Sequence, residues 1–394
     1  MWKGALRRSV SLAAMGVAVA AGLGGGAGRA LAACTGTTSV ICDTSAPNPA
    51  TTRVGNGGDV NVTINPGAGI NVGNGTGAIW TGGTGPTTNR ITNNGSVAAS
   101  GGTTATVRID AGGLHENNGT ITGTGVTALQ RTAGASTNVT FTNNAGGLIT
   151  STGGVNAVEG LGTGGFSLVN KGRIEGNIAM GAGPNSLTVF TGSQIAGSAD
   201  GGAGSDFLIL SGTGPSSYST PTSNFEQLTV NGGDWKLTGD ITGLTSGQLS
   251  NGTLTIESST AKINGNFQIQ SGTLQGNALN MPSGINGSGL ARFTQTQPGS
   301  EIYSGLLSGS IAVEKTGPGT LILTNSANIH SGGTTITQGV LQVGNGGTAG
   351  VLPGNVVNNA SLVFNRSNAL SFTGAVSGTG SVTQAGTGVL TLTG

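Results

Sequence analysis

Residues 317–344 read GPGTLILTNSANIHSGGTTITQGVLQVG. Two short apolar alternations, Leu321-Ile322-Leu323 and Val340-Leu341-Gln342-Val343, are set in glycine, threonine and serine. Alternation over so few residues is the pattern of a half-buried strand. The first alternation follows Gly319 and its counterpart follows Gly339, twenty residues on, while Ala360-Ser361-Leu362-Val363-Phe364 comes about one period later. Gly252-Thr253-Leu254 and Gly272-Thr273-Leu274 are also twenty apart. A fixed period of this length is the sequence signature of a solenoid or array.

A longer period lies above the short one. SGLLSGSIAVEKTGPGTLILTN (304–325) aligns at an offset of 69 with TGAVSGTGSVTQAGTGVLTLTG (373–394), with nine of 22 positions identical. The second copy reaches Gly394 just as it begins to repeat the residues after Thr324, so the chain is expected to stop in mid-repeat. Toward the N-terminus, ITNNGSV (91–97), HENNGTI (115–121), FTNNAGGLI (141–149) and LVNKGRI (168–174) recur at nearly even spacing. Each sets an Asn-Asn or Asn-Lys corner between strand-like pieces. Asn and Gly accept the left-handed backbone that a sharp corner requires, and asparagines can pair coil on coil.

Composition agrees with stacked strands. Of 394 residues 78 are glycine, 7% are charged and 4% are aromatic, and no every-third-residue glycine period makes a collagen. Disorder goes with high charge and few β-branched residues, the opposite of this chain. Parallel coils bring equivalent side chains to about 4.8 Å, where like charges repel. The net charge of +1 offers no footprint for nucleic acid. The expected fold is therefore all-β, a parallel β-helix whose coils hold two or three strands of three to six residues. At roughly 22 residues per coil, about 16 coils would span about 75 Å.

The start is a processing signal. Lys3, Arg7 and Arg8 precede the apolar run Ser9–Gly22, and Ala30-Leu31-Ala32 predicts cleavage between Ala32 and Ala33. The run ends too early to span a membrane, and Arg7-Arg8 is a weak twin-arginine signature. Cys34 and Cys42, the only cysteines, follow directly. They read as a disulfide closing a small loop in an oxidising compartment. The rival reading takes Leu31-Ala32-Ala33-Cys34 as a lipoprotein box with Cys34 acylated. The divisions expected are a signal peptide over 1–32, a cap with the cysteine pair over 33–58, β-helix coils over 59–300 and the best-formed repeats over 301–394.

Residues 315–344 resemble the autotransporter-associated β-strand repeat of bacterial type V secretion passengers. Gly317, Gly319, Leu321, Leu323, Asn328, Ser331, Gly332, Gly333, Thr334, Ile336, Gly339, Leu341, Val343 and Gly344 match its pattern. Asn325 replaces the usual glycine, and Ile329-His330 replaces Thr-Tyr. Residues 384–394 resemble the start of another copy. The resemblance implies a right-handed parallel β-helix exported by the general secretory machinery. It also implies passage through the protein's own C-terminal outer-membrane barrel, which would need the barrel-assembly machinery. No run of amphipathic strands of the barrel type is found up to Gly394. The localisation implied is the cell surface or outer membrane, or secretion, by way of the periplasm.

Candidate chemistry is sparse. His330 falls at the tip between two strands and reads as an exposed or stacked loop residue, with no neighbouring group in sequence to activate it. His115, followed by Glu116 and the Asn117-Asn118 corner, reads as part of a surface turn. GGAGSDFLI (201–209) matches a calcium nonapeptide, but that motif needs tandem copies sharing each ion. Its one relative, GAGPNSLTV (181–189), places Asn185 over Asp206 one coil apart, so an Asn–Asp corner stack is expected rather than a calcium site. Catalytic residues, cofactors and metal ligands are not assigned. The functional expectation is a non-catalytic surface passenger, an adhesin or self-associating stalk that contacts host glycan, matrix or neighbouring cells. The alternatives are a β-helical polysaccharide lyase or hydrolase, which would gather carboxylates at one point, and a lipid-anchored solenoid.

Overall fold

The structure, a computed structural model, describes residues 33–35, 39–43, 61–73, 77–81, 89–110, 112–132 and 138–394, without the side chains of 33–35 and 43. The expected signal peptide, with Ala32, lies outside these residues. Every secondary-structure element among them is a strand, and all their strand pairings but one are parallel. The chain winds as a β-solenoid in which each strand bonds to its equivalents one coil before and one coil after. Over the N-terminal half a coil has three strands: Val139–Asn143, Leu148–Thr152 and Val158–Gly160 form one coil, and Phe166–Asn170 opens the next.

The core is a set of columns. On the first face Val40, Val62, Ile91, His115, Phe141, Leu168, Leu187, Leu208, Leu228, Gly247, Phe267, Ile285 and Leu307 stack in register. The second face contributes Ile70, Val97, Ile121, Ile149, Ile174 and Ile195. Burying a side chain of this size is worth about 1.5–3 kcal/mol, so many like rungs supply most of the driving force. The rungs are unevenly spaced along the chain: the step from Phe267 to Ile285 is much shorter than that from Val62 to Ile91. The excess is taken up at corners while the column keeps its register. At Gly247 a Cβ would lie 2.5 Å from Phe267 Cδ2, so the next rung's ring fills the space this glycine leaves.

Two strands exceed the expected length. Gln227–Leu237 and Ser246–Ile256 have 11 residues each and pair along their whole course. Gly232 and Gly233, with φ of 98° and 79°, turn the corner inside the strand, and the register shifts there without the ladder breaking. Beyond them the coils continue as a five-stranded sheet, from Ser300–Tyr303 to Ser381–Gln384, beside a face carrying Ala312–Thr316, Thr334–Ile336, Val356–Asn358 and Val376–Ser377.

The asparagine corners pair coil on coil as expected. Asn93, Asn117, Asn143 and Asn170 are all fully buried, and each Nδ2 donates to the next Oδ1 at 2.7, 2.8 and 2.9 Å. Their second Nδ2 protons reach the carbonyls of Thr120, Leu148, Arg173 and Gln194. One residue on, Asn94, Asn118 and Asn144 form an exposed ladder with two bonds of 2.8 Å. The left-handed backbone expected at these corners occurs in one of the four, at Gly146 with φ of 85°. Among the described residues only Asn224 is a non-glycine with positive φ, and Gly95, Gly119, Gly147 and Gly172 are not left-handed. Glycine is required there by space: a Cβ on Gly119 would run into the Gly95 carbonyl, and one on Gly172 into that of Gly147.

The two ladders make a paired prediction. Asn117→Ala removes two buried amide–amide bonds and the bond to the Leu148 carbonyl and strands their partners, so denaturation should show a loss of about 2–4 kcal/mol. Asn118→Ala, in the exposed ladder, should lose less than about 1 kcal/mol because water replaces its bonds.

Candidate functional site

The repeat residues that stand out in the sequence form the inside of the C-terminal coils. Leu321, Leu341 and Leu362 make one inward column, and Leu323, Val343 and Phe364 the next. Asn328 bridges three coils: its Oδ1 accepts the Leu307 N–H at 3.0 Å, and its Nδ2 donates to the Val351 carbonyl at 3.0 Å. Gly317, Gly339 and Gly333 have φ of 78°, 73° and 79° and make the turns. A Cβ on Gly332 would stand 2.5 Å from the Ile311 carbonyl oxygen, and one on Gly319 would stand 2.6 Å from that of Gln297. The matched positions are therefore packing and turning positions.

Lys315, which nothing in the sequence singles out, is fully buried in this region. Its Nζ donates to the carbonyls of Thr316, Gly317 and Gln338 at 2.8, 2.7 and 3.1 Å. Burial lowers its pKa to about 8, against a raising influence from Glu301. Three backbone acceptors are what make a buried ammonium tolerable. Arg131 is likewise fully buried, stacked between Ile109 and Gly160. Neither was legible, since a lone cation in a Thr/Gly context reads as a surface residue.

Both histidines differ from expectation. His115 is 1% exposed and sits in the first-face column. Its Nδ1 accepts the Ile91 N–H at 3.2 Å, and its ring stacks on Phe141 at 6.4 Å. The ladder is interrupted between the Asn89–Gly113 bridge and the Thr92–Glu116 pair, and the imidazole supplies an acceptor in that gap. His330 is also 1% exposed, with Nε2 3.1 Å from Thr334 Oγ1. Both are buried rather than exposed: His115 lies within the strand Gly113–Asn117, and His330 in the loop between Thr320–Leu323 and Thr334–Ile336. Burial lowers each pKa from 6.5 to about 4.

Asn185 and Asp206 are brought together as expected, but through the backbone. Asp206 Oδ1 accepts the Asn185 N–H at 2.6 Å. Asn185 Oδ1 accepts from Phe166 N–H at 3.1 Å, and Glu226 Oε2 accepts from Asp206 N–H at 2.7 Å. Each corner side chain thus caps the strand of the preceding coil. Burial raises the Asp206 pKa to about 6; the Asn185 N–H works against this, and Glu226 and Asp200 reinforce it. Among the described residues no three His, Cys, Asp or Glu side chains gather to hold a metal ion. At the N-terminus, Ala33–Thr35 pairs antiparallel with Ser39–Asp43 and sets Cys34 opposite Cys42. Facing antiparallel residues have Cα atoms about 4.5–5.5 Å apart, a span that a disulfide closes.

The buried histidines give acid sensitivity a defined sign. Between pH about 6.5 and 4 the unfolded chain binds protons that folded His115 and His330 refuse, so stability falls as pH drops through that window. Asp206 opposes this, since the folded carboxyl takes up its proton from about pH 6 down to 3.8. His115→Phe keeps the ring stack and removes one titrating group. Its stability curve should lose up to about 3 kcal/mol of the acid-side decline relative to the parent chain. Melting temperatures at pH 7 and pH 4.5 for both proteins check this.

The passenger-associated-transport-repeat family matches residues 313–343, the segment holding Lys315, Asn328 and every motif glycine but Gly344. The chain is similar to "Adhesin BmaC autotransporter" of Brucella suis biovar 1 (strain 1330), with 52% identity over 63 residues. That stretch is 16% of this chain and 2% of the relative, so the chain spans only a small part of the relative's length. No solved structure matches. A parallel solenoid with a transport repeat inside it, and a segment similar to an autotransporter adhesin, support the reading of this chain as an autotransporter passenger region.

Proposed function

We propose that the chain is the non-catalytic, surface-exposed part of a bacterial autotransporter, acting as an adhesin or self-association stalk. The observation that carries this is the 52% identity over 63 residues with a protein named an autotransporter adhesin. The fold supports it physically. Parallel coils advance about 4.8 Å each, so the solenoid is a rod that carries its surface far from its anchoring point. Its core is closed by side chains from every face, leaving contact to the outer columns. Export runs through the general secretory machinery, then across the outer membrane through a C-terminal barrel placed by the barrel-assembly machinery. The chain's destination is the cell surface or the medium, and its partners are host glycan, matrix or a neighbouring cell.

Antibody labelling of intact cells tests the location, and deletion of the gene tests the role. Labelling without permeabilisation is expected, together with a several-fold loss of attachment to host cells or of cell–cell clumping. Labelling only after permeabilisation overturns the surface assignment. Release of sugar fragments from polysaccharide by the purified chain overturns the non-catalytic one.

A further inference from the structure

The corner caps in the middle of the solenoid form a relay along its axis. Phe166 N–H bonds to Asn185 Oδ1 at 3.1 Å, Asn185 N–H to Asp206 Oδ1 at 2.6 Å, and Asp206 N–H to Glu226 Oε2 at 2.7 Å. Three side chains thus tie four successive coils. The middle one is unlike its neighbours. Asp206 is 0% exposed, and its Oδ2 is buried without a hydrogen-bond partner. The charges that act on it are Glu226 of the following coil and Asp200 of its own, both negative. From the preceding coil it meets Asn185, which is neutral and whose Nδ2 is committed to the carbonyls of Gly181 and Gly201 at 3.3 and 3.0 Å. Asp200 is held in place in turn, its Oδ1 accepting from Gly202 N–H at 3.0 Å and Asn224 Nδ2 at 2.8 Å.

We infer that Asp206 is a proton-operated latch between coils: a proton on Oδ2 closes the relay, and its loss loosens this corner. The inference does not depend on what the surface of the rod binds. A buried carboxylate with one oxygen unpaired and two like charges beside it is costly. The neutral acid removes both the desolvation and the repulsion, while Oδ1 still accepts from Asn185 N–H. The proton comes from solvent. The Asn185 N–H favours the charged form, but burial outweighs it and sets the pKa at about 6, against 3.8 for a free aspartate. Between those two values the folded chain holds a proton that the unfolded chain has released, so the corner gains stability as pH falls through 6. The two buried histidines respond in the opposite sense and lie on other coils. At neutral pH the aliphatic columns keep the rod folded, and the corner around Gly201–Asp206 becomes its soft point.

Amide hydrogen exchange of the purified chain at about pH 7.5 and about pH 5, each rate divided by its intrinsic value, reads the corner directly. Protection of the Asn185 and Asp206 amides is expected to rise about tenfold at the lower pH. The Asn118 and Asn144 amides, bonded to the Asn93 and Asn117 carbonyls, should show no such rise. Asp206→Asn keeps an oxygen for the Asn185 N–H and cannot titrate, so its corner should be equally protected at both values. Glu226→Gln keeps the acceptor for the Asp206 N–H and removes one like charge, so the midpoint of the change should move to lower pH. Equal or weaker protection of the parent corner at about pH 5 overturns the latch, and that measurement needs no variant to fold. A rise that persists in Asp206→Asn overturns it as well. Calcium that tightens the corner at about pH 7.5 as fully as acid does would make it a cation site and overturn the assignment to a proton.

Discussion

Every rung of this molecule must tolerate its own equivalent at the distance of one β-ladder step. That constraint sorts the residues more strictly than burial alone. Aliphatic side chains gain by stacking on themselves, and the columns from Val40 to Leu307 and from Ile70 to Ile195 are the result. Asparagine is the polar residue that also gains, because its amide donates up the column and accepts from below. A buried charge has no such option. Lys315 instead lies between Phe293 and Ile336 and gives its protons to carbonyls of its own and the next turn. Asp206 is placed so that backbone and corner groups of neighbouring coils engage it.

The same constraint explains the glycine content better than turn conformation does. Some glycines turn the chain with positive φ, as Gly232 and Gly233 do within one long strand. Others, such as Gly119 beneath the asparagine ladder, stand where a coil's carbonyl approaches too closely for any side chain. Gly247 illustrates a third use, a missing side chain whose volume is taken by Phe267. A core made this way is continuous and repetitive. Its outer columns are free to vary.

Charge is partitioned accordingly. Outward ion pairs such as Lys236–Glu257 and Arg292–Glu314 join neighbouring coils across solvent-facing columns, and pairs of this kind add little to stability. Among the inward ionisable groups, burial favours the neutral form of both histidines, while Lys315 holds its ammonium on three backbone carbonyls. The histidines, the residues most suggestive of chemistry in the sequence, are thus packing elements.

The order of residues alone dictates the architecture: short alternations at a fixed period, glycine and asparagine at the corners, and little charge leave a parallel solenoid. It also shows the asparagine stack, because an Asn-Asn or Asn-Lys pair recurs at one place in four successive coils, and the motif by which the C-terminal coils resemble autotransporter passengers. It does not decide which residues point inward. His115 and Lys315 alternate in phase with Phe141 and Phe293 only once the register is known, and unequal coil lengths hide that register. The outward column on the C-terminal coils is hidden for the same reason. Thr255, Gln275, Arg292 and Glu314 are separated by unequal stretches of chain. Only the folded ladder, which absorbs those differences at corners, aligns them into one surface.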